Sequence, residues 1–108
     1  MTVESLVRNC GFKVVCMPSP EREVDGAYIG DLLSWVMGKA DSGNVWITIM
    51  SNINVIAVAT LADVSCIVLA EGVTIDPEVM ATAEAKGVNV LCSELSAYSI
   101  AKQIANII

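Results

Sequence analysis

Two apolar runs separated by a capped helix constrain this chain more than anything else in it. Ser65–Ala70 (Ser-Cys-Ile-Val-Leu-Ala) and Val88–Cys92 are continuous apolar segments of strand length. Runs of that kind belong to strands covered on both faces, because a half-exposed strand alternates polar and apolar residues. Between them Asp76-Pro77 reads as a helix start, an acid at the cap and proline in the first turn, and Gly87 as its end after Lys86. A strand, a helix and a strand in that order make a parallel unit, expected to cross over with the usual right hand.

The rest of the chain repeats the alternation. Thr2 caps a helix predicted over Val3–Asn9, with Leu6 and Val7 turned inward and Gly11 ending it. Phe12–Met17 is a short strand, and Pro18–Glu23 a polar loop held open by two prolines. Val24–Ile29 is a second strand, and Gly30–Lys39 a helix with Leu32, Leu33, Val36 and Met37 on one face. Asp41–Asn44 turns into the strand Val45–Met50. Ser51–Asp63 is apolar on every side, which suits a buried or partner-covered helix, or else the second arm of a hairpin. Ser93 is expected to cap a last helix, Glu94–Ile107. The fold class is therefore α/β: a mainly parallel sheet of about five strands with helices on both faces, in a single domain spanning residues 1–108.

Composition narrows the function. Net charge is −6 over 108 residues, and the six Lys and Arg are scattered, so no basic stripe exists to hold a nucleic acid. Val45–Ala62, the most apolar stretch, is interrupted by Thr48, Ser51, Asn52 and Asn54 and falls short of the ~20 apolar residues of a membrane span. No secretory leader is visible in Met1–Cys10. The cysteines Cys10, Cys16, Cys66 and Cys92 show no Cys-x-x-Cys spacing, so neither zinc binding nor redox chemistry is expected, and a cytoplasmic setting is. Histidine is absent, which excludes the common hydrolytic triads. Gly38-Lys39 lacks the upstream glycine of a phosphate loop, and no nucleophile elbow is present. The chain is expected to be no enzyme and to need no cofactor; a carboxylate pair from Asp31 and Glu94 finds no support in the spacing.

What remains is a binding edge. In open α/β sheets ligands settle beyond the carboxyl ends of the strands, against helix N-termini. That edge gathers Gly30 and Asp31, Ser51, Asn52 and Asn54, Glu71, and Ser93 with Glu94, and all of these but Glu71 are the candidate ligand-binding residues. The same residue types are also ordinary helix caps. Hydrophobic residues make up 55% of the chain, an excess that points to self-association. Trp35, off the apolar face of its helix, and Val55 and Val58, in the all-round apolar segment, are the candidate interface residues. Tyr28 and Tyr98 are expected to be packed rings with wet hydroxyls.

The run Gly26-Ala-Tyr-Ile-Gly-Asp-Leu-Leu-Ser-Trp-Val-Met-Gly, then Val45-Trp-Ile-Thr-Ile, Asn54-Val-Ile-Ala-Val-Ala and Leu95-Ser-Ala-Tyr-Ser-Ile-Ala, resembles the DRTGG domain family over nearly the whole chain. The resemblance implies a fold similar to the N-terminal domain of HPr kinase/phosphorylase. It also implies an accessory or dimerising role like that of related domains beside CBS domains in regulated pyrophosphatases, and a helix for Ser51–Asp63. The five-residue signature of the family's name is missing; Ser51-Asn52-Ile53-Asn54 stands in the loop where it is expected. The functional expectation is a regulatory, ligand-sensing homodimer that takes a small polar or nucleotide-like molecule at the carboxyl edge. The alternative is a structural partner that docks on a redox or phosphotransfer enzyme through Trp35 and its acidic surface.

Overall fold

A computed structural model describes all residues from Met1 to Ile108. Five strands form one sheet in the order β1-β5-β4-β3-β2: β1 Lys13–Cys16, β2 Ala27–Ile29, β3 Val45–Thr48, β4 Cys66–Leu69 and β5 Val90–Cys92. β2, β3, β4 and β5 run parallel, and β1 lies antiparallel on β5 with a register shift between Val14 and Cys16. Five helices cover the sheet: α1 Val3–Cys10, α2 Leu33–Lys39, α3 Ile53–Ala62, α4 Pro77–Lys86 and α5 Ala97–Ala105.

The alternation of side chains along each strand splits the core in two. Val45, Ile47, Cys66, Val68 and Leu91 pack with Val3 and Leu6 of α1 and Ile100 and Ile104 of α5. Trp46, Ile67, Leu69 and Val90 pack with Val36 of α2, Val55, Ile56 and Ala59 of α3, and Val79 and Ala83 of α4. Every residue of β3, β4 and β5 is buried, as their continuous apolar runs require. Burial pushes the Cys66 thiol up to about 12, and also raises the thiols of Cys16, Cys92 and Cys10 above their usual value, so none is an activated nucleophile.

Several boundaries differ from the sequence reading, each for a local reason. The second strand begins at Ala27 rather than Val24, because Gly26 takes a φ of +79° that ends any extended run before it. α2 begins at Leu33 rather than Gly30. The Gly30 N–H is still bonded to Ile47 in β3 (3.2 Å), and its carbonyl accepts the Trp46 indole N–H at 2.8 Å. With its first turn removed, α2 buries Val36 and leaves Leu32 and Met37 exposed. Ser51–Asp63 is a helix, capped by Asn52 and ended by Asp63 in the left-handed conformation. Its apolar residues wrap around because α3 lies between α2 and α4 on the sheet. The last helix starts at Ala97, capped by Ser96 rather than Ser93: Ser96 Oγ accepts the Ser99 N–H at 3.2 Å, whereas Ser93 Oγ accepts the Leu95 N–H in a tight turn. Tyr98 is 74% exposed, not packed.

Candidate functional site

The parallel strands bring the segments after β2, β3, β4 and β5 to one end of the sheet. Asp31 follows β2 and is anchored there. Its Oδ1 accepts the Thr48 hydroxyl at 2.8 Å and the Ile49 N–H at 3.1 Å, and Thr48 Oγ1 in turn accepts the Met50 N–H at 3.1 Å. One carboxylate oxygen therefore fixes the chain where β3 ends, while Asp31 as a whole remains exposed. Gly30 beside it leaves room for the Tyr28 ring, since a Cβ there would come within 2.9 Å of Tyr28 Cε2.

Asn52 and Asn54 follow β3 and are exposed; Asn52 Oδ1 accepts the Asn54 N–H at 2.9 Å as the cap of α3. Beyond β4, Glu71 and Gly72 both have left-handed backbone, φ 61° and 74°. This turn rests on the segment after β5 through Glu71 N–H to Leu95 O and Gly72 N–H to Ser93 O, each 2.9 Å. The Glu94 carboxylate lies over Gly72 so closely that a Cβ there would fall 2.5 Å from Oε2. Gly30, Asp31, Ser51, Asn52, Asn54, Ser93 and Glu94 thus all sit at the carboxyl end. Hydrogen bonds join Asp31 to Thr48, Asn52 to Asn54, and Ser93 to Gly72, but none links these three sets to one another. Neither Ser51, Asn54, Glu71 nor Glu94 uses its side chain in a hydrogen bond within the chain.

Two residues of this end escaped the sequence reading. Thr48 is the buried post on which Asp31 hangs, and an apolar strand context hid it. Lys13 opens β1 opposite Cys92, at the carboxyl end of β5. It arrives there because β1 runs antiparallel to a strand some eighty residues away, which no local pattern reveals. With Asp31, Glu71 and Glu94 it leaves this end net acidic. Exposed apolar side chains surround the polar groups: Ile29, Leu32, Ile49, Ile53 and Leu95.

Of the three candidate interface residues the structure leaves one at the surface. Val55 is 1% and Val58 5% exposed, both buried within the chain's own core under α3, so neither has surface to offer a partner. Trp35 is 57% exposed, with the Lys39 ammonium 4.5 Å from its ring. A groove of about 350 Å³ runs between α3 and α4 from Ile53, and one of about 380 Å³ lies where β1 meets α4. No cluster of three or more Cys, Asp or Glu has the arrangement of a metal site. No helix is long and apolar enough to cross a membrane.

The DRTGG domain family model matches residues 5–107, and the chain belongs to that family. A crystal structure of the CBS and DRTGG domains from the regulatory region of Clostridium perfringens pyrophosphatase, complexed with its activator diadenosine tetraphosphate, is similar in fold. It aligns with a TM-score of 0.72 at 13% identity, covering 95% of this chain and 45% of that one. The present chain thus spans less than half the length of that structure. No curated protein sequence matches it.

Proposed function

We propose that this chain is a non-catalytic regulatory domain that senses a small nucleoside-like molecule at the carboxyl end of its sheet and works as a homodimer in a reducing, cytoplasmic setting. The observation that carries the ligand reading is the uncommitted polar chemistry there. Asp31 is held by one oxygen with the other free of hydrogen bonds within the chain, and the Asn52 amide N–H groups are likewise uncommitted at the same end of the sheet. Carboxylates of this kind accept from ribose hydroxyls or exocyclic amines, and the exposed Ile49, Ile53 and Leu95 offer apolar surface to a base.

Charge selects within that class. Lys13 is the one cation that β-pairing brings to this end, against Asp31, Glu71 and Glu94. A bare polyphosphate is repelled, and a nucleoside or a magnesium-neutralised nucleotide is not. The pyrophosphatase regulatory region, which shares the fold, is bound to a dinucleotide, and this lends the reading its ligand class. Four free thiols, three of them buried, suit a reducing compartment.

Isothermal titration with adenosine, ATP and diadenosine tetraphosphate, each with and without magnesium, tests the proposal. Saturable binding is expected for adenosine in either condition and for the phosphorylated ligands with magnesium only, weakened about tenfold by Asp31→Asn. Absence of binding by all three, or binding indifferent to Asp31→Asn and to magnesium, contradicts it.

A further inference from the structure

The two edges of the sheet are built differently. β1 carries the exposed Lys13 and a register shift, two of the devices by which natural sheets prevent edge-to-edge pairing. β2, at the other edge, has neither. Its residues are Ala27, Tyr28 and Ile29, with no charge, proline or bulge. Gly26 O accepts from Val45 and Gly30 N–H donates to Ile47, so alternation turns the N–H and C=O of Ala27 and Ile29 away from β3, toward the open side. No turn, loop or cap in the chain takes up those groups.

The surroundings of this edge are apolar, with its acids, Asp25 and Asp31, lying just beyond the two ends of the strand. A groove of about 330 Å³ runs beside the strand, lined by Gly26, Ala27, Ile29, Ala101, Ala105 and Ile108. α5 packs on β2 and β3 from one face of the sheet, and α2 follows β2 on the other. Between them these helices contain no Asp or Glu, in a chain with twelve; their charges are Lys39 and Lys102. Ile29, Leu32, Trp35, Tyr98 and Ile108, on β2 and beside or within these helices, are 45–74% exposed. At about 150–250 Å² for each large side chain this amounts to roughly 500 Å² of apolar surface. A standard interface buries about 800 Å² per partner, and the strand backbone and the small groove residues supply the difference.

We propose that the β2 edge pairs with the β2 edge of a second copy of this chain. The inference rests on the dimer reading above and assigns its seam. A two-fold axis at Tyr28 sets Ala27 of each copy opposite Ile29 of the other, forming four main-chain hydrogen bonds and one continuous ten-stranded sheet. Ala101 and Ala105, one turn apart, let the two α5 helices approach closely. The second copy fits better than a foreign strand for two reasons. An antiparallel edge is complementary to itself under two-fold symmetry, and the flanking helices bring no acid to the seam, so that Asp25 and Asp31 of opposite copies meet only beyond the paired residues, where both are exposed to solvent. The assembly stops at two because the outer edges that remain are both β1.

Sedimentation equilibrium of the whole chain at micromolar concentration decides the matter, with circular dichroism to verify folding. The wild type is expected to be a dimer. Ile29→Lys, which places a charge on the edge, and Ala105→Lys, in the groove but outside the sheet, each raise the dimer dissociation constant about 30-fold or more. Val14→Lys, on the β1 edge, leaves it unchanged. Should Ile29→Lys fail to fold, Ala105→Lys carries the test. A wild-type dimer that survives the edge substitution and the groove substitution overturns the seam and leaves the dimer standing. A monomeric wild type overturns both and leaves the ligand reading intact.

Discussion

At the amino end of the sheet, Asn44, Ser65 and Asn89 commit their side chains to backbone. Asn89 Oδ1 accepts the Ser19 N–H at 2.9 Å, and its Nδ2 donates to Ser19 O at 2.7 Å and Ser65 O at 3.0 Å. Asn44 joins Asp41 to Asp25 O in the same way, and the Ser65 hydroxyl donates to Glu23 O. At the carboxyl end the same residue types leave groups open: the hydroxyl of Ser51, the side chain of Asn54, and the carboxylates of Glu71 and Glu94. The difference lies in burial. Asn44 and Asn89 are 8% and 0% exposed, and a buried polar group must be paired; Asn52 and Asn54 are exposed, so water or a ligand can satisfy them. One end is a clasp that closes loops, and the other is free to recognise something.

The largest expected effect breaks the clasp. Asn89→Ala strands one N–H and two carbonyls in a dry site and is expected to lower unfolding free energy by about 3 kcal/mol, read by urea denaturation, while ligand affinity in the surviving fold stays the same. Next is the post at the open end. Thr48→Val keeps the shape but removes the donor to Asp31 and the acceptor for Met50, and is expected to cost about 1.5 kcal/mol in the same measurement. It also frees Asp31 from its position, so ligand affinity falls with it.

How much of this contrast the sequence discloses depends on the range of the contacts. The helix start at Asp76-Pro77, the end at Gly87 and the buried runs of β4 and β5 are local patterns, and they are found in the structure as read. The grouping of Gly30, Asp31, Ser51, Asn52, Asn54, Ser93 and Glu94 at one end follows from parallel topology alone. What stayed hidden was long-range or depended on a single side chain. Gly30–Asp31 reads as a helix start because its competing partners, Ile47, Trp46 and Thr48, are sixteen or seventeen residues away. Val55 and Val58 read as interface because a helix apolar all round has the same pattern whether its own chain or another covers it.

Smaller effects sharpen the comparison. Asp31→Asn keeps an acceptor for Thr48 and Ile49, so its cost in stability is expected to be about 0.5 kcal/mol, against a tenfold loss in ligand affinity; a large stability loss would make Asp31 part of a clasp. The smallest effect is electrostatic and belongs to the amino end. The Ser42 hydroxyl and then the Arg22 guanidinium hold the Asp63 carboxyl below its usual range. A carboxylate with a depressed folded value adds stability that is complete above the ordinary aspartate value of about 3.9 and is lost as pH falls through the folded value. Because Asp63 is 57% exposed, this amounts to no more than about 0.5 kcal/mol after solvent screening. Urea denaturation between neutral pH and about pH 2 is expected to show that increment in the wild type and not in Asp63→Asn.

Backbone amide NMR during titration with adenosine tests the contrast between the two ends most directly. The account predicts saturable shifts concentrated at Ile29–Leu32, Thr48–Asn54 and Ser93–Tyr98, with Asn44, Ser65 and Asn89 silent. Shifts centred on the amino-end clasp, or none at any residue at saturating adenosine, would contradict it.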